Sequence, residues 1–295
     1  MKVFLTGGTG FVGGRIAAEL SRRGHAITAL VRDRDSAAPL RALGAELVAG
    51  DVTRPDSLAG AARGCDAVVH LVGIIRARGR QTFEAVHVGG TENVLAAALD
   101  AGVGKHVQMS ALGAKADGTE YHRTKLEAEE RVRRAGLPYV ILRPSIVYGL
   151  ESPVVRMWLR MVRWSPLVPV LGDGRYRLQP VWVEDVAAAF AAAVERADLV
   201  ADAYDLAGPE RLTYDEILDA VAEALGKRAR KLHVPLGLVW PAVRAAAALR
   251  LPAPISPTEL QMLLEENVAE GAGNALRDVF GREPRAFPDW LKEVL

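Results

Sequence analysis

Ser110, Tyr121 and Lys125 lie in one short stretch, SALGAKADGTEYHRTK, residues 110–125. A lysine four residues after a tyrosine falls on the same face of a helix. The pair suits proton transfer. A free tyrosine has a pKa of about 10, and a neighbouring ammonium favours the tyrosinate. Ser110 ends an apolar, strand-like run, where its hydroxyl can bond a carbonyl oxygen while Tyr121 gives or takes the proton. The same residues also suit a plain surface helix, with Lys125 paired to Glu129 one turn on. A redox cofactor held beside them would separate the two readings.

The chain begins with such a holder. TGGTGFVGG follows the first apolar run, KVFLTG, and opens the helical pattern from Phe11 to about Arg23. Gly7, Gly10 and Gly13 allow a tight turn and a close backbone approach to a pyrophosphate. Thr9, Phe11 and Val12 complete the turn and the helix N-terminus, whose free N–H groups attract anions. A strand before and a helix after is the context that turns a glycine pattern into a dinucleotide-binding expectation. A ribose-binding carboxylate is expected roughly 20 residues further on. Arg32 stands near that place, at the end of the second strand, with Asp33 next to it. An arginine there pairs with a 2′-phosphate, so NADP(H) is expected over NAD(H), with Asp33 keeping the carboxylate alternative open. Asp51 and Val52, in GDVTRPDSL after the third strand, are expected to border the adenine.

The elements that must position these residues read as alternating strands and helices. AITALVR, AELVAGD, DAVVHLVG, KHVQMS and PYVILRPS read as strands, most of them predominantly apolar, with a long helix around residues 83–101 and another after Glu120. Such strands indicate a parallel sheet covered on both faces, the doubly wound α/β (Rossmann) class. After Pro144 the rhythm breaks into a Pro- and Gly-punctuated region with one helical segment, VVRMWLRMVRW. LQPVWVEDVAAAF then reads as a strand entering a helix, and LTYDEILDAVAEALGK as a helix opened by a Thr213/Glu216 capping box. The expected division is a dinucleotide-binding domain over 1–150 and a smaller α/β lobe over 151–295, with about 178–208 returning to the first domain.

Composition narrows the classes further. The chain has 295 residues, 37 basic and 36 acidic side chains, and a net charge of +1, so nothing suggests a nucleic-acid binder. Cys65 is the single cysteine, which removes internal disulfides and cysteine-based metal clusters, and the six histidines lack metal spacing. No apolar run reaches the roughly 20 residues that span a bilayer. A glycine turn occupies the place of a signal peptide's apolar region, so a cytoplasmic protein is expected. Arg156, Arg160 and Arg163 fall on one helical face, read as solvated. Asp185 is read as capping the following helix or bonding backbone at the lobe junction. PLGLVWPAVRAAAALRL is read as lobe core.

The whole pattern resembles the short-chain dehydrogenase/reductase superfamily in its extended form. The pieces are TGGTGFVGG, GDVTRPDSL, VVHLVG, GTENVLAAA, YHRTK, ILRPSIVYG and VWVEDVAAAF. MSALGA makes it most similar to the atypical group containing the nucleotide-binding accessory subunit of mitochondrial complex I and its bacterial relatives. The resemblance implies Tyr121 as proton donor, Lys125 on the nicotinamide ribose and Ser110 at the substrate oxygen. It also implies Pro144, Ser145 and Ile146 against the nicotinamide and Leu71, Val72 and Gly73 under the cofactor. His87 stands where that superfamily usually has Asn, and ten residues between Ser110 and Tyr121 make a short loop. The expected function is an NAD(P)-dependent oxidoreductase or epimerase acting on a small molecule, a nucleotide-sugar or a quinone-related carbonyl. The alternative is a non-catalytic NADP(H)-binding accessory or sensor protein, with contact to a membrane surface or a respiratory complex.

Overall fold

The structure is a computed structural model that describes every residue except 250, 252–254 and 272. Its centre is a parallel sheet of seven strands: β1 (Lys2–Thr6), β2 (Ala26–Val31), β3 (Glu46–Ala49), β4 (Ala67–His70), β5 (Lys105–Met109), β6 (Tyr139–Pro144) and β11 (Asp202–Leu206). They run in the order β11-β6-β5-β4-β1-β2-β3. The order reverses at β1, which lies between β2 and β4. Ligands in such sheets occupy the crevice beyond the strand ends at that reversal.

The strands are apolar on both faces because both faces are covered. Val3 and Leu5 of β1 face one layer, with Ile16 and Leu20 of α1 (Phe11–Arg22) and Phe190 of α6 (Val183–Glu195). Phe4, between them, faces the other layer, with Val94 and Ala98 of α3 (Gly90–Asp100). Each such fully buried side chain contributes about 1.5–3 kcal/mol. The segment read as one long helix over 83–101 starts instead as a π-helical stretch, Glu84–Gly89, before α3 takes over. β11 pairs in parallel with β6 and closes that edge of the sheet.

A second core gathers around Trp158 of α5 (Pro153–Trp164), Ile217 and Leu218 of α7 (Tyr214–Ala224), and Phe287 and Trp290 of α11 (Phe287–Val294). Three short strand pairs frame it: β7 (Val147–Tyr148) with β10 (Val181–Trp182), β8 (Val168–Leu171) with β13 (Lys231–Val234), and β9 (Arg177–Leu178) with β12 (Leu212–Thr213). α7 opens on the Thr213/Glu216 capping box, and Gly226, at φ +65°, lies just past its end. Asp185 is buried and accepts from Arg282 Nε at 2.5 Å and from the Arg285 backbone N–H at 2.9 Å, fastening the C-terminal segment.

The reading of residues 235–251 as lobe core is corrected. They form α8 (Leu236–Ala248), of which only Val239 and Val243 are buried, packed with Leu260 of α9 (Pro257–Leu264); Arg250 lies outside the described residues. Apolar composition alone does not distinguish a buried helix from one with a single short contact line. Among the described residues, no helix is long and apolar enough to cross a membrane.

Candidate active site

β1 delivers the chain into the crevice at Gly7, whose φ of +78° only glycine adopts cheaply; a Cβ there would lie 3.1 Å from the backbone of Leu71 and Val72. Gly13 is tighter still: its Cβ would fall 2.1 Å from the Gly7 carbonyl oxygen. Helix α1 therefore packs directly on the turn, and its N-cap, Gly10, has no side chain to occupy the first N–H groups. These groups face a cleft of about 550 Å³. Its walls carry Gly7, Thr9, Gly10, Phe11, Val12, Gly13, Arg32, Asp51, Val52, Leu71, Val72 and Gly73. Thr53, Ile74, Gln81, Met109 and Pro153 line it too, though none of them was singled out from the sequence as a site residue.

Arg32 and Asp33 differ in what they are free to do. Asp33 turns its carboxylate into its own loop, accepting from the N–H groups of Asp35 (3.0 Å) and Ser36 (3.3 Å). Arg32 lies exposed on the cleft wall and makes no ion pair or side-chain hydrogen bond among the described residues. Asp51 is engaged likewise, with Thr53 donating to it through both backbone and hydroxyl at 2.9 Å.

Helix α4 (Glu120–Arg134) begins at Thr119, whose hydroxyl accepts from the His122 N–H. It carries Tyr121 at its head and Lys125 one turn deeper. The Tyr121 ring stands edge-on to Phe83, His87 and His122, with centroids 6.1, 5.5 and 5.4 Å away. Burial pushes its hydroxyl up to about 12. Lys125 is buried and donates to the Met109 carbonyl at 3.2 Å. Burial pulls its ammonium down to about 8, with Glu129 opposing. A Cβ at Gly73 would lie 3.0 Å from Lys125 Nζ and 3.5 Å from His87 Nε2, so both groups stand directly behind the cleft wall.

His87 fastens this corner. The Ile74 backbone nitrogen lies 3.0 Å from its Nε2. Nδ1 lies 2.9 Å from the Thr124 hydroxyl, which donates to the Glu120 carbonyl at 2.8 Å, and the Ile74 carbonyl stands 3.1 Å from the same Nε2, so the contacts fit either tautomer of the neutral ring. Burial first, and Lys125 second, lower its pKa to about 3.

Ser110 lies elsewhere. Its hydroxyl is buried and does not line the cleft. It borders the Glu129 carboxylate on the inner face of α4. Burial works against that carboxylate, yet Arg143, Ser110 and Arg133 together keep it below its ordinary pKa. Pro144, Ser145 and Ile146 also stand outside the cleft lining, tied to the second half of the chain. Ser145 donates to the Gln179 carbonyl, and the Ile146 N–H donates to Asn267 Oδ1 at 3.2 Å.

A strap from Ser256 to Asn267 crosses this region. Glu259 accepts from Arg76 Nε at 3.1 and 3.3 Å and from its Nη2 at 2.5 Å. Glu265 meets His122 Nδ1 at 3.2 Å and Lys115 Nζ at 3.4 Å. Asn267 donates to the Leu112 carbonyl at 3.2 Å. Arg76 and Glu259 are 183 residues apart, a separation at which no sequence pattern signals contact.

A parallel sheet with a glycine turn and helix N-terminus at its reversal point defines a nicotinamide-dinucleotide-binding α/β protein. The chain belongs to the short-chain dehydrogenase/reductase superfamily in its extended form. An NAD(P)H-binding family matches residues 7–153, and the RmlD substrate binding domain matches 114–267. The chain is 31% identical to the ceramide reductase of Caulobacter vibrioides, over 79% of this chain and 73% of that one. It is 29% identical to the 4-hydroxy-2-methyl-3-oxo-4-farnesyl-3,4-dihydroquinoline-1-oxide ketoreductase of Stigmatella aurantiaca, over 84% and 79%. It is also 29% identical to NADH dehydrogenase (ubiquinone) 1 alpha subcomplex subunit 9, mitochondrial, of Arabidopsis thaliana, over 83% of this chain and 62% of that one.

Proposed function

We propose that the protein is an NADPH-dependent reductase of a ketone carried on a long apolar chain, with Tyr121 as proton donor. The observation that carries this reading is the meeting of Lys125 and His87 behind Gly73, a wall residue of the cleft that starts at the glycine turn, with the Tyr121 ring edge-on to His87. In the proposed reaction the nicotinamide supplies the hydride. Tyr121 supplies the proton to the developing alkoxide, and Lys125 reaches past Gly73 to the adjacent ribose. Burial pushes the Tyr121 hydroxyl up to about 12, so it carries its proton at neutral pH, the form a proton donor needs. The names of the bacterial relatives, a ceramide reductase and a farnesyl-dihydroquinoline ketoreductase, support an apolar ketone over a nucleotide-sugar.

The test is NADPH consumption with a panel of long-chain ketones and nucleotide-sugars. Tyr121→Phe is expected to cut turnover by about 10²-fold or more while leaving NADPH affinity nearly unchanged. Turnover of nucleotide-sugars alone would redirect the reading to an epimerase. A second reading rests on the cleft lining, which includes none of Ser110, Tyr121 and Lys125, and on the likeness to the respiratory-complex subunit. In it, NADPH is held tightly without turnover on any panel member, and Tyr121→Phe changes nothing measurable.

A further inference from the structure

Two segments of the chain are free of acidic residues. Residues 152–172 contain Arg156, Arg160 and Arg163 and no Asp or Glu; residues 224–258 contain six Lys or Arg, between 227 and 250, and no Asp or Glu. The whole chain is balanced, 37 basic against 36 acidic, so the asymmetry is local. The structure joins the two segments. β8 pairs with β13, the Val168 N–H donates to the Arg230 carbonyl at 2.8 Å, and Lys227 Nζ donates to the Arg163 carbonyl at 2.7 Å.

The same segments carry the exposed apolar surface. Of the thirteen large apolar side chains exposed among the described residues, seven lie here. Trp164 is 78% exposed and Leu238 and Leu249 are 69% exposed. Single exposed leucines are ordinary, whereas a concentration of this kind in about a fifth of a chain marks an interaction surface. On α5 the two chemistries interleave: Arg156, Met157, Arg160, Arg163 and Trp164 are all exposed. Arg156, Arg160, Arg163, Arg228 and Arg230 form no ion pair among the described residues, whereas Lys231 and His233 are matched by Asp215 and Asp219 of α7.

We infer that this face, from the outer side of α5 through β8 and β13 to α8, docks on a bilayer surface bearing anionic headgroups. Unpaired guanidinium groups meet the headgroups, and Trp164 with the exposed leucines enters the interface, the division of labour of a peripheral membrane contact. A second copy of the chain is a poor occupant, because a two-fold interface would set arginine against arginine. The inference goes beyond the proposed reaction and does not depend on it.

Co-sedimentation of the full chain with phosphatidylglycerol/phosphatidylcholine vesicles, against phosphatidylcholine alone, tests it. Binding is expected to the anionic vesicles, to weaken with salt, and to shift the Trp164 fluorescence to the blue. Each lost cation near the surface is worth about fivefold, corresponding to about 1 kcal/mol. Arg160→Glu, Arg163→Glu and Arg230→Glu together should therefore weaken binding by about 100-fold or more, with NADPH affinity and melting temperature unchanged as the control for folding. Trp164→Ser with Leu238→Ser should weaken binding while preserving its salt dependence. Equal binding to both vesicle types, or an unaltered triple variant, overturns the inference. So does a stable dimer in light scattering that the triple variant dissolves, since a second copy would then cover the face.

Discussion

Arg32 and Asp33 are neighbours in sequence with opposite commitments in the fold. The carboxylate is consumed by the Asp35 and Ser36 N–H groups, while the guanidinium lies uncommitted on the cleft wall. A 2′-phosphate would give it a charge-assisted partner. Arg32→Ala is expected to weaken NADPH binding by about tenfold or more, the range of one charged hydrogen-bonded contact, and to leave NADH binding unchanged in calorimetry. An equal loss for both nucleotides would remove Arg32 from that role. Lys125 makes a separate expectation, set by pH. Its ammonium is present below about 8 and lost above it. NADPH affinity should fall as pH rises through that value, and Lys125→Met should abolish the dependence. The 2′-phosphate, with a second pKa of about 6, is fully ionised there and contributes no competing trend. A wild-type profile that stays flat past this range would place the ammonium away from the ribose. At these positions the sequence was informative: spacing put Arg32 at the end of β2 and Tyr121 and Lys125 on one turn. It gave no sign that the Ser110 hydroxyl lies against Glu129 rather than on the cleft, because a one-residue change in strand phase turns a side chain to the other face.

Among the elements, β1, its turn and α1 form the most legible unit, because the glycines leave few alternatives: at Gly13 even a methyl group collides with backbone. The start of the helix after Phe83 was not legible. Hydrophobic periodicity does not distinguish a π-helical turn from an α-helical one, and His87 owes its place to bonds with Ile74 and Thr124, far from it in sequence. Behind the same corner lies a group of buried neutral histidines, and they make acid stability a readable property. His87 is held near 3 and His106 near 4, and His70 well below its ordinary value, burial being the leading cause for each. In the unfolded chain they titrate near 6.5. Their folded pKa values are depressed, so the native state binds fewer protons. The stability they contribute is complete above about pH 6.5 and declines as pH falls towards 3–4. Each histidine adds a slope approaching 1.4 kcal/mol per pH unit below 6.5. Between pH 6.5 and about 5 most carboxylates, with unfolded values near 4, hardly contribute, while burial raises Glu184, Asp205 and Glu210 in the fold and works against the histidine trend. Denaturant midpoints measured across that interval should fall with pH, and His87→Asn should reduce the slope by about one histidine's share. A midpoint slope that His87→Asn leaves unchanged would mean that this ring is protonated in the folded protein.

The molecule as a whole is two cores joined by a seventh strand and crossed by a strap, and the strap is its least legible part. Arg76, Lys115 and His122 come from the dinucleotide-binding half, Glu259 and Glu265 from the far end of the chain, and only the fold brings them together. The consequence can be derived from the burial of each latch. Arg76 and Glu259 are about a third and a fifth exposed, so their pair contributes about 1 kcal/mol or less to global stability. The same contribution is large for a local opening, because little else anchors α9 from that side. Glu259→Gln keeps the shape and removes the charge. It is expected to shift the melting temperature by no more than a few degrees and to speed amide exchange about fivefold over residues 256–267 and in the loop around Arg76. NADPH affinity should stay constant, since no glycine-turn residue touches the strap. Asn267→Ala acts differently. It strips the Ile146 N–H and the Leu112 carbonyl of their partner, which costs about 1–3 kcal/mol where these groups are shielded from water, and so should lower global stability as well. The pair of variants thus separates a latch from a structural rivet. If both loosened the strap and the central sheet alike, or if Glu259→Gln left exchange in the strap unchanged, the Arg76–Glu259 pair would be a rivet rather than a latch.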